Sequence, residues 1–290
     1  MKIAISGGSG FIGSYVVDEL VSRNHEVISL DRSMNWKNDK ARYLELDVTN
    51  KIRVENIINE LKPDLVIHLA GILGTSETWD HVHETIDSNI HGAVNVFQAA
   101  ANVKADILTV DVGSRWTSPY TVTKTCAAQL AFGFGKKYKI KVGILRIFNV
   151  YAERQSNKII KIIPRFIERS LQDGIIEVWG NKNADLVHAK DVAIAFAQAA
   201  ENIDKINQVE DIMIGSGEQK TVYETAQIIS KKIGKGKVTQ METRLGEEGI
   251  DSGSMINNKA KELLGWEPKI KFEDAIGDVI DWYKKYLGYI

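Results

Sequence analysis

The stretch Lys2-Ile3-Ala4-Ile5-Ser6-Gly7-Gly8-Ser9-Gly10-Phe11-Ile12-Gly13 decides the fold of this 290-residue chain. Residues 2–6 suit a buried strand, a glycine cluster follows at once, and an amphipathic run begins at Ile12. In such a strand-to-helix turn one glycine permits the tight bend, the next lets the backbone approach a pyrophosphate, and Gly13 lets helix and sheet pack closely. The helix N-terminus then meets the phosphates with unpaired N–H groups and the positive end of its dipole. A glycine run alone is a weak motif, but here it has context. A second strand ends at Asp31, 18 residues beyond Gly13, where a carboxylate can accept both ribose hydroxyls of an adenosine. That charge favours NAD over NADP, although the adjacent Arg32 is a guanidinium able to receive a 2′-phosphate. Asp47 and Val48, at the end of a third strand, are placed to flank the adenine.

Outward from this turn, short β-branched runs alternate with longer amphipathic ones. Strands are expected at 2–6, 26–31, 43–46, 65–70, 107–112 and 142–148, and helices at 12–23, 51–61, 79–101 and 120–138. Six strands in βα order make a doubly wound parallel sheet with helices on both faces. Beyond Tyr151 the rhythm becomes mixed. Helices are expected at 159–172, 191–201, 222–233, 257–264 and 273–286, with strands at 175–179, 185–189 and 211–215. The reading is an α/β protein with a dinucleotide-binding domain at 1–152, to which 184–204 return, and a smaller mixed α/β substrate-binding cap at 153–290. Trp266 is expected to pack that cap.

Composition removes several classes of function. With 37 Lys and Arg against 38 Asp and Glu, the formal charge of −1 offers no basic field for nucleic acid. No apolar run reaches the roughly 18 residues of a membrane span, so a soluble protein is expected. The single cysteine, Cys126, has no intrachain partner and reads as a buried thiol in a helix, which fits a reducing cytoplasm. His81, His83 and His91 share a helix at spacings that do not make a metal pair, so no metal site is expected.

Tyr120 and Lys124 stand four apart at the start of a helix and so share one face. A lysine ammonium beside a phenol favours the phenolate, which can take a proton from a sugar hydroxyl as hydride leaves the same carbon. Here the chain resembles the extended short-chain dehydrogenases, in particular the NAD-dependent nucleotide-sugar epimerase and dehydratase group, which are built on a Rossmann domain. The resemblance runs through SGGSGFIG, Asp31, Asp47-Val48, His68-Leu69-Ala70-Gly71, Asn89, Tyr120 and Lys124. It continues through LRIFNVY (145–151), IIPRFI (162–167), DLVHAKDVA (185–193) and KELLGWEP (261–268). It implies Gly7, Gly10, Phe11, Ile12 and Gly13 around the pyrophosphate, Asp31 on ribose, and Leu69, Ala70, Gly71 and Asn89 on the nicotinamide side. It further implies Tyr120 as acid/base, Lys124 on the nicotinamide ribose, and Asn149 on substrate. A homodimer is implied, joined as a four-helix bundle through 79–101 and 120–138. Ala127, Ala128, Ala131 and Gly135 would allow close approach there, or would serve packing within the chain.

The chain also departs from that group. A catalytic Ser or Thr normally follows the fifth strand, but by register Asp111 and Val112 occupy the place. Ser114 is the nearest hydroxyl, with Thr117 and Ser118 close to it as turn residues or substitutes. The Asp-Glu pair of dehydratases is missing, which argues against 4,6-dehydration. Ala184 and Asp251 stand where arginines usually grip a diphosphate, and Arg154, Arg165 and Arg244 are the candidates to compensate. The expected activity is 4-epimerisation of a nucleotide sugar through a 4-keto intermediate. A dehydratase or reductase of the same group, and a non-catalytic NAD-binding protein, are the alternatives.

Overall fold

A computed structural model describes residues 1–113, 117–156, 161–243 and 258–290. The first half of the chain forms β1 (Lys2–Ser6), α1 (Phe11–Ser22), β2 (Glu26–Asp31), β3 (Arg42–Glu45), α2 (Lys51–Leu61) and β4 (Leu65–His68). Next come α3 (Val82–Ile86), α4 (Gly92–Asn102), β5 (Asp106–Val112), α5 (Pro119–Tyr138) and β6 (Val142–Ile147). The later strands are β7 (Asn149–Tyr151), β8 (Ile175–Trp179), β9 (Asn183–His188), β10 (Val209–Ile214), β11 (Gln219–Thr221) and β12 (Lys237–Met241). Between and after them lie α6 (Ile162–Leu171), α7 (Ala189–Glu201), α8 (Val222–Ile233) and α9 (Phe272–Tyr286).

Seven strands, not six, make the main sheet, in the order β10-β6-β5-β4-β1-β2-β3, and every neighbouring pair is parallel. The extra strand, β10, returns after α7 and pairs with β6 from Val209↔Val142 to Ile214↔Ile147. Its inward residues Ile212 and Ile214 are buried in the sheet core, which its own short alternation could not announce. The strand order reverses at β1, so a crevice opens where the carboxyl ends of β1 and β4 part.

One face of the sheet is covered by α1 and α7, which pack on each other, and the other by α2, α4 and α5. A third, smaller core gathers α6, α8 and α9 over the parallel pair β8–β12 and the sheet β11-β9-β7. Trp266 belongs to the first of these cores and not to the small layer. It is buried with Val192 and Phe196, and its indole N–H donates to the Asp191 carbonyl at 2.8 Å. Asp191 Oδ2 in turn accepts from the backbone N–H of Lys269 (3.0 Å) and Ile270 (2.9 Å), so the turn after Trp266 is latched to the start of α7.

Two helical expectations change. The run 79–101 is not one helix: a 3₁₀ turn at Glu77–Trp79, α3, a π turn at Asp87–His91 and α4 succeed one another. The π turn lies where Asn89 points inward and exchanges hydrogen bonds with Ile72, a tertiary demand that straight helical periodicity does not anticipate. On α5, Ala127, Ala128 and Ala131 are consumed by the core under the helix, and a Cβ on Gly135 would lie 2.7 Å from Val209 Cγ2. Packing within the chain therefore accounts for these small residues. Cys126, on the same helix, is half-buried rather than buried.

Trp266→Ala should cost about 3–5 kcal/mol, the range for emptying a buried aromatic site. Trp79→Ala, at a side chain 60% exposed, should stay within about 0.5 kcal/mol. Urea denaturation of both variants measures the difference, and equal losses would contradict the placement of Trp266.

Candidate active site

The crevice at the strand reversal is the mouth of a cleft of about 990 Å³ that runs from the glycine turn to α6. Backbone proximity explains its glycines. Gly7 has φ +78°, and a Cβ there would stand 2.6 Å from Ala70 N. A Cβ on Gly13 would stand 2.0 Å from Gly7 O. The turn is thus pressed between α1 and the segment after β4, with Gly7 N–H donating to Leu30 O at 2.8 Å. Asp31 closes the end of β2. Its Oδ2 accepts from Ser9 N–H at 3.0 Å and its Oδ1 from Ser33 N–H at 3.1 Å, which aims the carboxylate over the turn.

Gly7, Gly10, Phe11, Ile12, Gly13, Asp31, Arg32, Val48, Leu69, Ala70, Gly71, Tyr120 and Lys124 all line this one cleft. Two other expected cofactor residues do not reach its wall. Asp47 caps its own turn by accepting from Thr49 N–H and Oγ1–H, and stands 3.9 Å from Arg32 Nη1. Asn89 is buried behind the wall, where Oδ1 accepts from Ile72 N–H (2.7 Å) and Nδ2 donates to Ile72 O (2.9 Å) and Thr123 Oγ1 (3.0 Å). It ties the loop after β4 to α5. The donor set fits a dinucleotide: a cradle that a Cβ would fill, a helix N-terminus behind it and a ribose-ready carboxylate.

Tyr120 and Lys124 are set by the start of α5. Ser118 is its N-cap, accepting from Thr121 N–H at 3.2 Å while Thr121 Oγ1 accepts from Ser118 N–H at 3.0 Å, and Pro119 fills the first helical position. The Ser118 hydroxyl is thereby engaged in the cap. Lys124 is 4% exposed, and burial lowers its ammonium to about 8 against the opposing charge of Asp111. Tyr120 is raised to about 12, first by loss of water around its hydroxyl and then by Asp111. This balance runs opposite to the tuning expected from Lys124, because the carboxylate of Asp111 repels a phenolate. Beneath them His68 is buried and held neutral, with burial taking it down to about 3 and Nδ1 joined to Ser6 Oγ at 2.7 Å.

At the far end, Asn149 and Arg165 line the cleft. Arg154 does not. Its guanidinium pairs with Asp18 at 2.8 Å and lies over the Tyr15 ring at 4.6 Å, fastening the segment after β7 to α1. Ser114, Arg244 and Asp251 lie outside the described residues. Three cations that sequence reasoning passed over also line the cleft: Lys161, Arg169 and Lys182. Arg169 was legible as one turn beyond Arg165 on the same helix face, whereas Lys161 and Lys182 carry no local signal.

This combination defines a Rossmann-type dinucleotide enzyme with a tyrosine and lysine at its cofactor crevice. The chain belongs to the NAD-dependent epimerase/dehydratase family, whose model matches residues 3–215. It is 30% identical to a Methanocaldococcus jannaschii protein that carries the assignment UDP-glucose 4-epimerase, over 97% of this chain and 98% of that one. A UDP-N-acetyl-alpha-D-glucosaminuronate decarboxylase of Bacillus cytotoxicus is 29% identical over 98% of each chain. Among solved structures, the UDP-glucose 4-epimerase of Thermotoga maritima with UDP-glucose superposes with a TM-score of 0.88. That match has 25% identity and covers 99% of this chain and 100% of the other. The protein is therefore an NAD-dependent enzyme of the extended short-chain dehydrogenase group.

Gly13→Ala should weaken NAD binding roughly ten- to a hundredfold, since overpacking of about 1–3 kcal/mol falls on the turn itself. Isothermal titration of the purified variant measures it. Unchanged affinity would remove the glycine turn from the cofactor site.

Proposed function

We propose that the protein is a nucleoside-diphosphate-sugar 4-epimerase acting through a transient 4-keto sugar. The observation that carries this reading is the opening of Tyr120 and Lys124 onto the same cleft as the glycine turn and Asp31. Gly7, Gly10 and Gly13 hold the pyrophosphate, Asp31 the adenosine ribose, and Lys124 the nicotinamide ribose. Bound NAD supplies a two-electron acceptor and donor at the sugar carbon. Tyr120 takes the proton of the 4-hydroxyl during oxidation and returns it to the keto oxygen after the sugar has turned its other face. Arg165, with Arg169 and Lys182 nearby on the cleft wall, stands in for the diphosphate-gripping arginine absent at Ala184.

The small layer built on α6, α8 and α9 is the substrate-binding cap in this reading, while α7 and β10 serve the dinucleotide domain. We assign a homodimer to the outer faces of α4 and α5, where Val122 is 57% and Phe132 38% exposed on α5. A second reading draws on Lys161, whose ammonium lies 5.6 Å from the Tyr120 ring centre. It offers a counter-charge for a sugar carboxylate. A nucleotide-linked uronic acid oxidised at the same carbon becomes a β-keto acid, which loses carbon dioxide and is then reduced. The decarboxylase relative from Bacillus cytotoxicus favours this reading.

Incubation with UDP-glucose, UDP-galactose and UDP-glucuronic acid, followed by proton NMR and carbon dioxide release, separates the two. Interconversion of the neutral sugars is the expected result, and loss of carbon dioxide without interconversion would replace epimerisation by the second reading. Tyr120→Phe should lower turnover by about 10²–10⁴-fold, the range for a positioned acid/base. Undiminished turnover would refute the role of Tyr120.

A further inference from the structure

Asp111 is fully buried at the end of β5, yet it lines the same cleft as Tyr120 and Lys124. Its Oδ1 accepts from Val112 N–H at 2.7 Å and from Thr125 Oγ1–H at 3.1 Å. Its Oδ2 stands 2.9 Å from Arg146 Nη1, on the neighbouring strand β6, where Asp111 and Arg146 are register partners. Arg146 is not its alone: Nη2 meets Asp211 Oδ2 on β10 at 2.6 Å. Two carboxylates thus share one guanidinium. The group as a whole keeps a net negative charge, and the buried member of it faces the cleft.

Lys124 needs such a partner. An ammonium that is 4% exposed has lost most of its water, a loss that favours the neutral amine unless an opposite charge offsets it. Among the described residues, the other ionisable groups around it do not supply one. His68 on β4 is neutral, Tyr120 on its own helix is a phenol, and Lys161 above the Tyr120 ring is a second amine, its ammonium lowered by burial. Glu77, on the loop after β4, interacts with Lys161. Arg146 and Asp211 are joined to Asp111 and to each other.

We propose that Asp111 is a positioning residue of the catalytic pair: its carboxylate, half-compensated by the Arg146 it shares with Asp211, is the counter-ion that keeps Lys124 an ammonium inside the cleft. The inference rests on the reading of Lys124 as a cofactor residue. The charged form is the one that donates strongly to ribose hydroxyls, and the same carboxylate holds Tyr120 as a phenol until a positive charge arrives with oxidised cofactor. A carboxylate in the place of a hydroxyl therefore changes how the pair is poised, from donation to the tyrosine to charge balance of the lysine.

Carbon-13 NMR of the lysine-labelled, cofactor-free protein tests this, with the Lys124 resonance identified by its loss in Lys124→Arg. The wild-type resonance should titrate near 8, apart from the ordinary lysines. Asp111→Asn should move that midpoint down by roughly one unit. Asp211→Asn, at a half-exposed position on the sheet edge, should also move it down, because Arg146 is then free to compensate Asp111 fully. Should Asp111→Asn fail to fold, Asp211→Asn alone decides. A Lys124 midpoint that stays fixed or rises in the folded variants overturns the proposal. The measurement involves no sugar, so failure of the epimerase reading would show in turnover while this titration stood on its own.

Discussion

The close approach of the first glycine turn to the end of β4 is the contact on which the rest depends. Gly7 backs onto Ala70 with no room for a Cβ, and Gly13 backs onto Gly7 in the same way. Strand β1 is the central strand of the reversal, so this contact decides how far the carboxyl ends of β1 and β4 stand apart. A wider turn would push α1 off the sheet and move its N-terminus away from the crevice that Asp31 overlooks. Backbone meeting backbone makes the geometry stiff, because neither side has a rotamer with which to give way.

A second set of contacts transmits that geometry to Tyr120 and Lys124. Asn89, delivered inward by a π turn, joins the loop after β4 to Thr123 of α5. The α5 N-terminus is fixed from the other side by the Ser118–Thr121 capping box and by Tyr120 N–H donating to Thr78 Oγ1 at 3.3 Å. Tyr120 and Lys124 therefore sit on a helix whose first turn is tied both to the loop after β4 and to its own cap. Their spacing along the chain puts them on one face. These ties decide which face looks into the cleft.

Much of the fold was legible in local pattern. The strands at 2–6 and 26–31 and the helix at 51–61 occupy the positions that periodicity and capping residues give them. Asn50 illustrates the reason, since its side chain caps α2 by accepting from Arg53 N–H at 3.1 Å, a bond between near neighbours. The misplacements share a cause of the opposite kind. Membership of β10 in the main sheet, the break between α3 and α4, and the burial of Trp266 over α7 each depend on a partner more than ten residues away. Arg154 belongs with them: it reads as a substrate cation in sequence, whereas Asp18 and Tyr15, far behind it in the chain, claim its guanidinium.

By itself the sequence determined the strand, glycine turn and helix of a dinucleotide site, the acidic end of the second strand, and a tyrosine and lysine one helical turn apart. Each of these is written in residues that are neighbours along the chain, because steric freedom at glycine and the 3.6-residue repeat are local properties. Tertiary structure alone decided what surrounds the pair. Asp111, Arg146 and Asp211 come from three different strands, and only the packed sheet brings them together and buries Asp111 in the wall of the cleft that Lys124 also lines. The glycine turn could be read from its letters; the electrostatics of the site it opens onto required the packed sheet.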